Sequence, residues 1–340
     1  MNKNDYIALR KTLSRDGVLG RNNIVGGVSA LFELCFFTGT LAALSYTTSW
    51  SMAFWLLQVL LAISIYRCFV LLHDCGHYSL FTNKKVNSIV GTLLSIVCVT
   101  PLLPWREIHK NHHRWVGIYD RDPTSARLEK FKSHQQHSPW YVALLRFTWK
   151  TRLPLPSILF TLETLWLYPF RIFKDGDAKH AAQAILSLLP IIFSHAFLIK
   201  ICGLDVYASY FLPALLISFY WYEMINLTHH AGLYVLSSKT QEKPVPFYEQ
   251  ERFCRSATIP SWVSLLACYH FTLHTEHHLF PSAPWHQLPT IKRHLSNYSL
   301  EKYNSVEFPS FQNSLRKVDP VDVLLNQLPD SILELQKPLH

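Results

Sequence analysis

The sequence predicts an all-α integral membrane protein, with four transmembrane helices in two hairpins and a cytoplasmic helical cap. Three observations predict it. Four apolar stretches are long enough to cross a bilayer, which takes about 20 residues. Hydrophobic residues make up 49% of the chain and charged residues only 16%, against about 25% charged in a typical soluble domain. Finally, 18 histidines fall mostly into clusters that begin where the apolar stretches stop.

The stretches cover residues 24–47, 50–72, 181–199 and 206–227. Thr48 and Ser49 alone join the first pair, and residues 200–205 join the second, so each pair reads as a hairpin. Lys and Arg are plentiful before the first stretch (Lys3, Arg10, Lys11, Arg15, Arg21) and between Lys84 and Lys179, whereas only Lys200 lies near a tip. Positive charge favours the cytoplasmic side, so the protein is expected to be multi-pass with both termini and the central section cytoplasmic. Residues 1–23 read as a polar N-terminal segment with no cleavable signal peptide. Residues 24–293 form the membrane domain, with its cap in 73–180 and 228–293, and residues 294–340 read as a polar cytoplasmic tail. Two further apolar stretches, 86–105 and 155–173, are broken by Gly91, Pro101 and Pro104 in one and by Pro156 and Pro169 in the other. Both read as interfacial or re-entrant. Residues 237–255 are polar, carry prolines and read as a loop.

Net charge is +9 without histidine. No basic helix or nucleic-acid motif accompanies it, so no nucleic-acid partner is expected. The seven cysteines are odd in number and contain no CxxC; they read as apolar residues in a reducing compartment.

The histidines carry the chemistry. HDCGH holds His73 and His77, HKNHH holds His109, His112 and His113, NLTHH holds His229 and His230, and HTEHH holds His274, His277 and His278. Spacings of three and four put side chains on one helix face, so each box can turn its imidazoles toward one point. Four spans leave every cluster on one side of the bilayer, whereas a crossing by residues 86–105 would separate the first two boxes. The isolated His134, His137, His180, His286, His294 and His340 read as solvated or structural, and His195, inside the third stretch, as a packing or hydrogen-bonding residue.

Eight or nine imidazoles exceed the needs of one metal, since catalytic zinc takes three protein ligands and structural zinc four. Two metals fit the count. Imidazole suits iron, zinc, copper and nickel alike. No HExxH supplies a hydrolase's base. Beside a bilayer the substrates are lipids, and oxygen chemistry on an alkyl chain needs a redox metal, which favours iron. A transporter would place its polar ligands near the bilayer midplane, and a haem protein needs two axial histidines in facing helices, not HxxHH triplets.

HDCGHYSLF, HKNHHRW and HTEHHLFP resemble the three histidine boxes of the membrane fatty-acid desaturase and hydroxylase superfamily, in order and in spacing. The resemblance covers residues 71–281 and is nearest to acyl-lipid desaturases of the Δ12/ω3 type; the third box opens on His274 where front-end desaturases carry Gln. It implies a non-haem di-iron centre, two Fe ions in all, with His73, His77, His109, His112, His113, His230, His274, His277 and His278 as ligands. It implies O2 as co-substrate and the removal of two hydrogens from the acyl chain of a membrane lipid or acyl thioester. A hydroxylase, epoxygenase or carotenoid-modifying oxygenase of the same superfamily is the alternative. By similarity to stearoyl-type relatives, Asn226 would hold a metal-bound water and His230 would be the ligand, leaving adjacent His229 a supporting role or none. Glu223, one turn before Asn226, is expected to hydrogen-bond a ligand imidazole, with Asp74, Asp120, Asp122 and Glu276 as weaker candidates. His270, four before His274, is either such a support or a packing residue. No haem-binding HPGG segment and no iron–sulphur pattern is present, so the electron donor is expected to be separate, a ferredoxin or a cytochrome b5-like protein. Lys110, Arg114 and Arg121 beside the second box offer it a basic surface, or equally a face for water or lipid headgroups.

Overall fold

The computed structural model describes residues 1–125, 128–129, 138–298, 300 and 303–336; His134, His137 and His340 lie outside them. The described residues are mostly helical, and among them lies one two-stranded parallel sheet. It divides into two compact units. A membrane unit comprises Arg21–Glu107 and Pro154–Tyr222, and a cap unit comprises Met1–Gly20, Ile108–Leu153 and Glu223–His340.

Among the described residues, four helices are long and apolar enough to cross a membrane: α2 (Asn23–Leu44), α3 (Met52–Gly76), α9 (Ala178–Cys202) and α10 (Leu204–His230). They match the four stretches expected. Asn22 caps α2 through hydrogen bonds from the Ile24 and Val25 amides, and Ser51 caps α3 through Phe54 N; a capping side chain satisfies one of the orphan amides at a helix start. Between α9 and α10 only Gly203 intervenes. Helix α3 is the central one, 67% buried where α9 is 11% buried. Exposed apolar side chains such as Phe32, Leu186, Phe193 and Phe197 cover the others, as they should if lipid is their solvent. A buried charge in a span is costly unless paired, and Glu33 of α2 meets Arg67 of α3 at 2.6 Å. His195 bridges two partners: its Nε2 lies 2.8 Å from the Ile96 carbonyl and its Nδ1 2.8 Å from the Tyr207 hydroxyl. The carbonyl accepts only, so Nε2 carries the proton and Nδ1 accepts from Tyr207.

Helices α4 (Lys84–Cys98) and α5 (Leu102–Trp115) meet at a 99° bend. Val99 stands there at φ +54°, and Pro101 follows. The stretch expected to be re-entrant is therefore not a straight helix. Residues 155–173 are likewise split, into α7 (Leu155–Thr161), a π turn and α8 (Tyr168–Lys174), each far shorter than a span.

The cap unit is built on a core to which the polar N-terminal segment contributes. Helix α1 (Lys3–Arg15) buries Tyr6, Leu9 and Leu13. They pack with Leu279 of α12 (His274–Leu279) and with Leu288, Ile291 and Leu295 of α13 (Leu288–Leu295), and the Tyr6 hydroxyl donates to the Leu279 carbonyl at 3.0 Å. The segment after His294 was expected as a polar tail. It holds strand β2 (Asn304–Glu307), parallel to β1 (Arg255–Thr258), and helix α14 (Phe308–Leu315). Helix α14 buries Phe308, Phe311 and Leu315, spaced i, i+3 and i+7, a helical face that the polar composition of the rest of the segment masks.

Candidate metal centre

In the membrane unit, α3 ends in HDCGH. His73 is buried and His77 half-buried, with ring centroids 4.7 Å apart. His73 Nδ1 lies 3.3 Å from Asp74 Oδ1. Trp105 packs edge-on against His73 at 5.2 Å. That approach explains the glycine of the motif: a Cβ on Gly76 would sit 2.2 Å from the Trp105 ring.

In the cap unit three elements bring the other boxes together. The last two turns of α5 carry His109, His112 and His113, the end of α10 carries His229 and His230, and α12 carries His274, His277 and His278. Ring nitrogens of His112, His230, His274 and His278 all lie within 4.8 Å of one another. The Nε2 atoms of His230 and His274 are 2.9 Å apart, those of His278 and His274 3.1 Å, and those of His112 and His278 3.3 Å. A second set adjoins it: His113 Nε2 lies 3.1 Å from His109 Nε2 and 2.9 Å from His277 Nε2.

The outward ring nitrogens determine what this cluster can bind. His112 Nδ1 donates to Asp122 Oδ2 at 2.8 Å, and His230 Nδ1 to the Phe253 carbonyl at 3.2 Å. Gln250 spends its amide nitrogen on the His113 and Val245 carbonyls, so its Oε1 faces outward and accepts from His278 Nδ1 at 2.9 Å. Carboxylates and carbonyls only accept, so these three imidazoles carry their proton on Nδ1. Their Nε2 lone pairs therefore point at one another. Lone pairs so arranged repel unless a cation stands among them, and buried neutral imidazoles of this kind are metal ligands in type. Burial, then the neighbouring imidazoles, hold His274 and His278 well below the usual histidine range, which keeps them neutral and able to donate a lone pair at pH 7.

A family model for fatty acid desaturases matches residues 49–309, well over half of the 340. The chain belongs to the fatty acid desaturase family. Curated relatives agree. An sn-1 acyl-lipid omega-3 desaturase (ferredoxin) of Synechocystis sp. is 25% identical, over 81% of this chain and 76% of its own. An sn-2 acyl-lipid omega-3 desaturase (ferredoxin) of Helianthus annuus is 26% identical, over 88% and 71%. A chloroplastic omega-6 fatty acid desaturase of Spinacia oleracea is 24% identical over 67% of this chain and only half of its own. The desaturase is thus an oxidoreductase of the membrane, and its histidine clusters are of the kind that hold metal.

The other residues singled out in the sequence fall in different places. Asp122 does hydrogen-bond an imidazole, and Thr124 donates to it from its amide and hydroxyl at 2.8 and 2.7 Å. Glu223 pairs with Arg316 at 2.9 Å. Asn226 is exposed, unlike buried His230, so spacing on α10 does not by itself bury it with the cluster. His229 is buried and stacks flat on His274, centroids 3.8 Å apart at 6°. Glu276 is buried and accepts from Ser256 at 2.6 Å and Tyr303 at 2.7 Å. Asp120 accepts from Ser238. His270 shares no helix with His274, because α12 starts at His274 and His270 sits at φ +58° in the preceding turn, its ring over Trp285 at 6.5 Å.

Sequence reading missed Gln250, the Phe253 carbonyl and Arg255. All lie in the stretch expected to be a plain loop, where no periodicity marks a buried face. Arg255 is fully buried, donating to the Thr228 and Ala231 carbonyls at 2.7 and 3.1 Å, with Phe311 stacked 4.6 Å beneath. It thereby satisfies the orphan carbonyls at the end of α10, next to His230. Burial pushes it down to about 9, still charged at pH 7.

Removing the carboxylate from Asp122 takes the acceptor from His112 Nδ1. Asp122→Ala is expected to weaken metal binding about 10–100-fold, measured by chelator competition, with the far-UV spectrum unchanged.

Proposed function

We propose that this desaturase introduces a double bond into the acyl chain of a membrane lipid, using O2 and a non-haem di-iron centre. The observation that carries the reading is the set of Nδ1-protonated imidazoles whose Nε2 lone pairs converge. His112, His230, His274 and His278 form one ligand set, and His109 and His277 belong to the other, with His113 Nε2 within 3.1 Å of both. The three-box pattern assigns His73 and His77 as ligands too. Two iron ions held there would supply the redox capacity for reducing O2.

The balance of the reaction defines what the protein must provide. O2 takes four electrons: two come from two C–H bonds of the acyl chain and two from a separate carrier. With two protons from the medium the products are one C=C bond and two waters. The role of this chain's own residues is positioning. Asp122, Gln250 and the Phe253 carbonyl fix the imidazole tautomers and ring angles before any metal arrives, so little reorganisation is left for binding. The names of the relatives support an acyl-lipid substrate and a ferredoxin-type donor. Expression in a host with such a donor, followed by mass spectrometry of its lipids, is expected to show new double bonds. New hydroxyl or keto groups alone would overturn the proposal.

The reading also places the active site and both termini on the cytoplasmic side, from the distribution of Lys and Arg. Cys202 is exposed at the end of α9, next to Gly203. A membrane-impermeant thiol reagent is expected to label it in intact cells. Protection of Cys202 there, with labelling only after lysis, would reverse the orientation.

A further inference from the structure

One exposed face of the cap unit is basic. Helix α5 presents Lys110 and Arg114 on its way to Trp115, and Arg121 follows after a turn; the three cations are exposed. The Arg114 and Arg121 guanidinium groups lie 5.2 and 4.7 Å from the Trp115 ring centroid. A second segment runs beside this one. Leu236 N donates to the Gly117 carbonyl and Tyr119 N to the Leu236 carbonyl, both at 3.0 Å, and Val245 N donates to the Arg114 carbonyl at 3.2 Å. Exposed Lys239 and Lys243 lie on that second segment, between the paired Leu236 and Val245. The exposed Glu242 and the half-buried Asp120, which is engaged by Ser238, lie on the same two segments.

The face stands on a small rigid core of Val116, Ile118, Val245 and Phe253, with Trp115 and Leu236 packed against it. The same platform touches the imidazole cluster at two points. Gln250 donates to the Val245 carbonyl at 3.0 Å and accepts from His278 at 2.9 Å. Phe253 contributes its ring to the core and its carbonyl to His230. Two hydrogen bonds thus connect the segment bearing Lys239 and Lys243 to His278.

We propose that this face is the docking site of an acidic one-electron carrier protein of the iron–sulphur class, with Gln250 and Phe253 linking it to the imidazoles. The proposal rests on the desaturase reading above. Charge selects the occupant: the chain is basic overall, +9, and a cluster of exposed cations steers an acidic partner and raises its encounter rate. Kinetics agrees with the choice. One double bond needs two electrons, and a carrier of this class delivers one at each visit, being oxidised by one electron as the site is reduced by one. Two carriers must therefore dock and leave in each turnover. Exposed charge pairs around one aromatic ring favour fast association without slow release.

The test compares the iron-loaded enzyme with an Arg114→Glu/Arg121→Glu variant in phosphatidylcholine nanodiscs. Turnover is measured against the concentration of a plant-type ferredoxin at low and high salt, and single turnover after reduction with dithionite. The variant is expected to raise the KM for ferredoxin about tenfold or more and to lose most of the salt dependence. Its dithionite-driven single turnover should match the unmodified protein. Lys239→Glu/Lys243→Glu, on the neighbouring segment, should shift KM in the same direction and stands in if the first variant folds poorly. An unchanged KM in both variants would overturn the docking site. So would an equal loss with dithionite, or a loss confined to binding of phosphatidylglycerol vesicles, which would make the face a lipid contact. Failure of the desaturase reading is a different result: the unmodified enzyme would form no double bond with either reductant.

Discussion

His274→Ala is expected to reduce product to background and to lower the bound metal by about half or more, whereas His270→Ala should leave both unchanged. The two residues stand four apart in one stretch, HFTLHTEHH, and sequence spacing alone cannot separate them. The structure separates them sharply. His274 Nε2 lies 2.9 Å from that of His230 and 3.1 Å from that of His278, so its loss removes a donor from the middle of the cluster. Its ring also lies flat under His229, and the alanine would open a buried space beside the remaining ligands. His270 is held in a left-handed turn with its ring on Trp285. Truncating it costs packing of order 1 kcal/mol and touches no ligand. Metal analysis of the purified proteins, paired with lipid mass spectrometry, decides the matter. Equal metal loss in both variants would show that the turn, and not the His274 imidazole, is what the site requires.

The boxes were legible because helix geometry acts locally. A spacing of three or four fixes a shared face whatever the fold does elsewhere, and the four long spans were legible because length and apolarity alone define them. What surrounds the imidazoles was not legible, because it comes from long-range contacts without a period. Gln250 is fully buried in a stretch that reads as a polar loop, and only its three bonds to His113, Val245 and His278 reveal its role. Arg255 looks like a surface residue in sequence and is one of the largest fully buried side chains. The i, i+4 rule also misleads where helix boundaries are unknown. It joined His270 to His274 across a turn. Among the acids, Asp122 meets His112 and Asp74 meets His73, while Glu223 pairs with Arg316, a partner 93 residues away that no local spacing announces.

Gly117→Ala is expected to destabilise the cap unit by about 2–5 kcal/mol and to lower metal affinity with it. Two separate costs add. Gly117 stands at φ +82°, where a Cβ costs about 1–2 kcal/mol. That Cβ would also lie 2.3 Å from the buried Phe253 ring, and overpacking of this kind costs about 1–3 kcal/mol. Phe253 cannot yield freely, because its ring fills the core with Val116, Ile118 and Val245 while its carbonyl orients His230. A shift that relieved the clash would therefore move the acceptor that sets the His230 tautomer. Gly17 isolates the first cost: it stands at φ +73°, just beyond α1, with nothing within 4 Å of a Cβ. Gly17→Ala should lower the melting temperature in detergent by less than Gly117→Ala and leave metal content alone. If the two variants melted together, the contact with Phe253 would carry no weight, and the platform beneath the imidazoles would be softer than its packing implies.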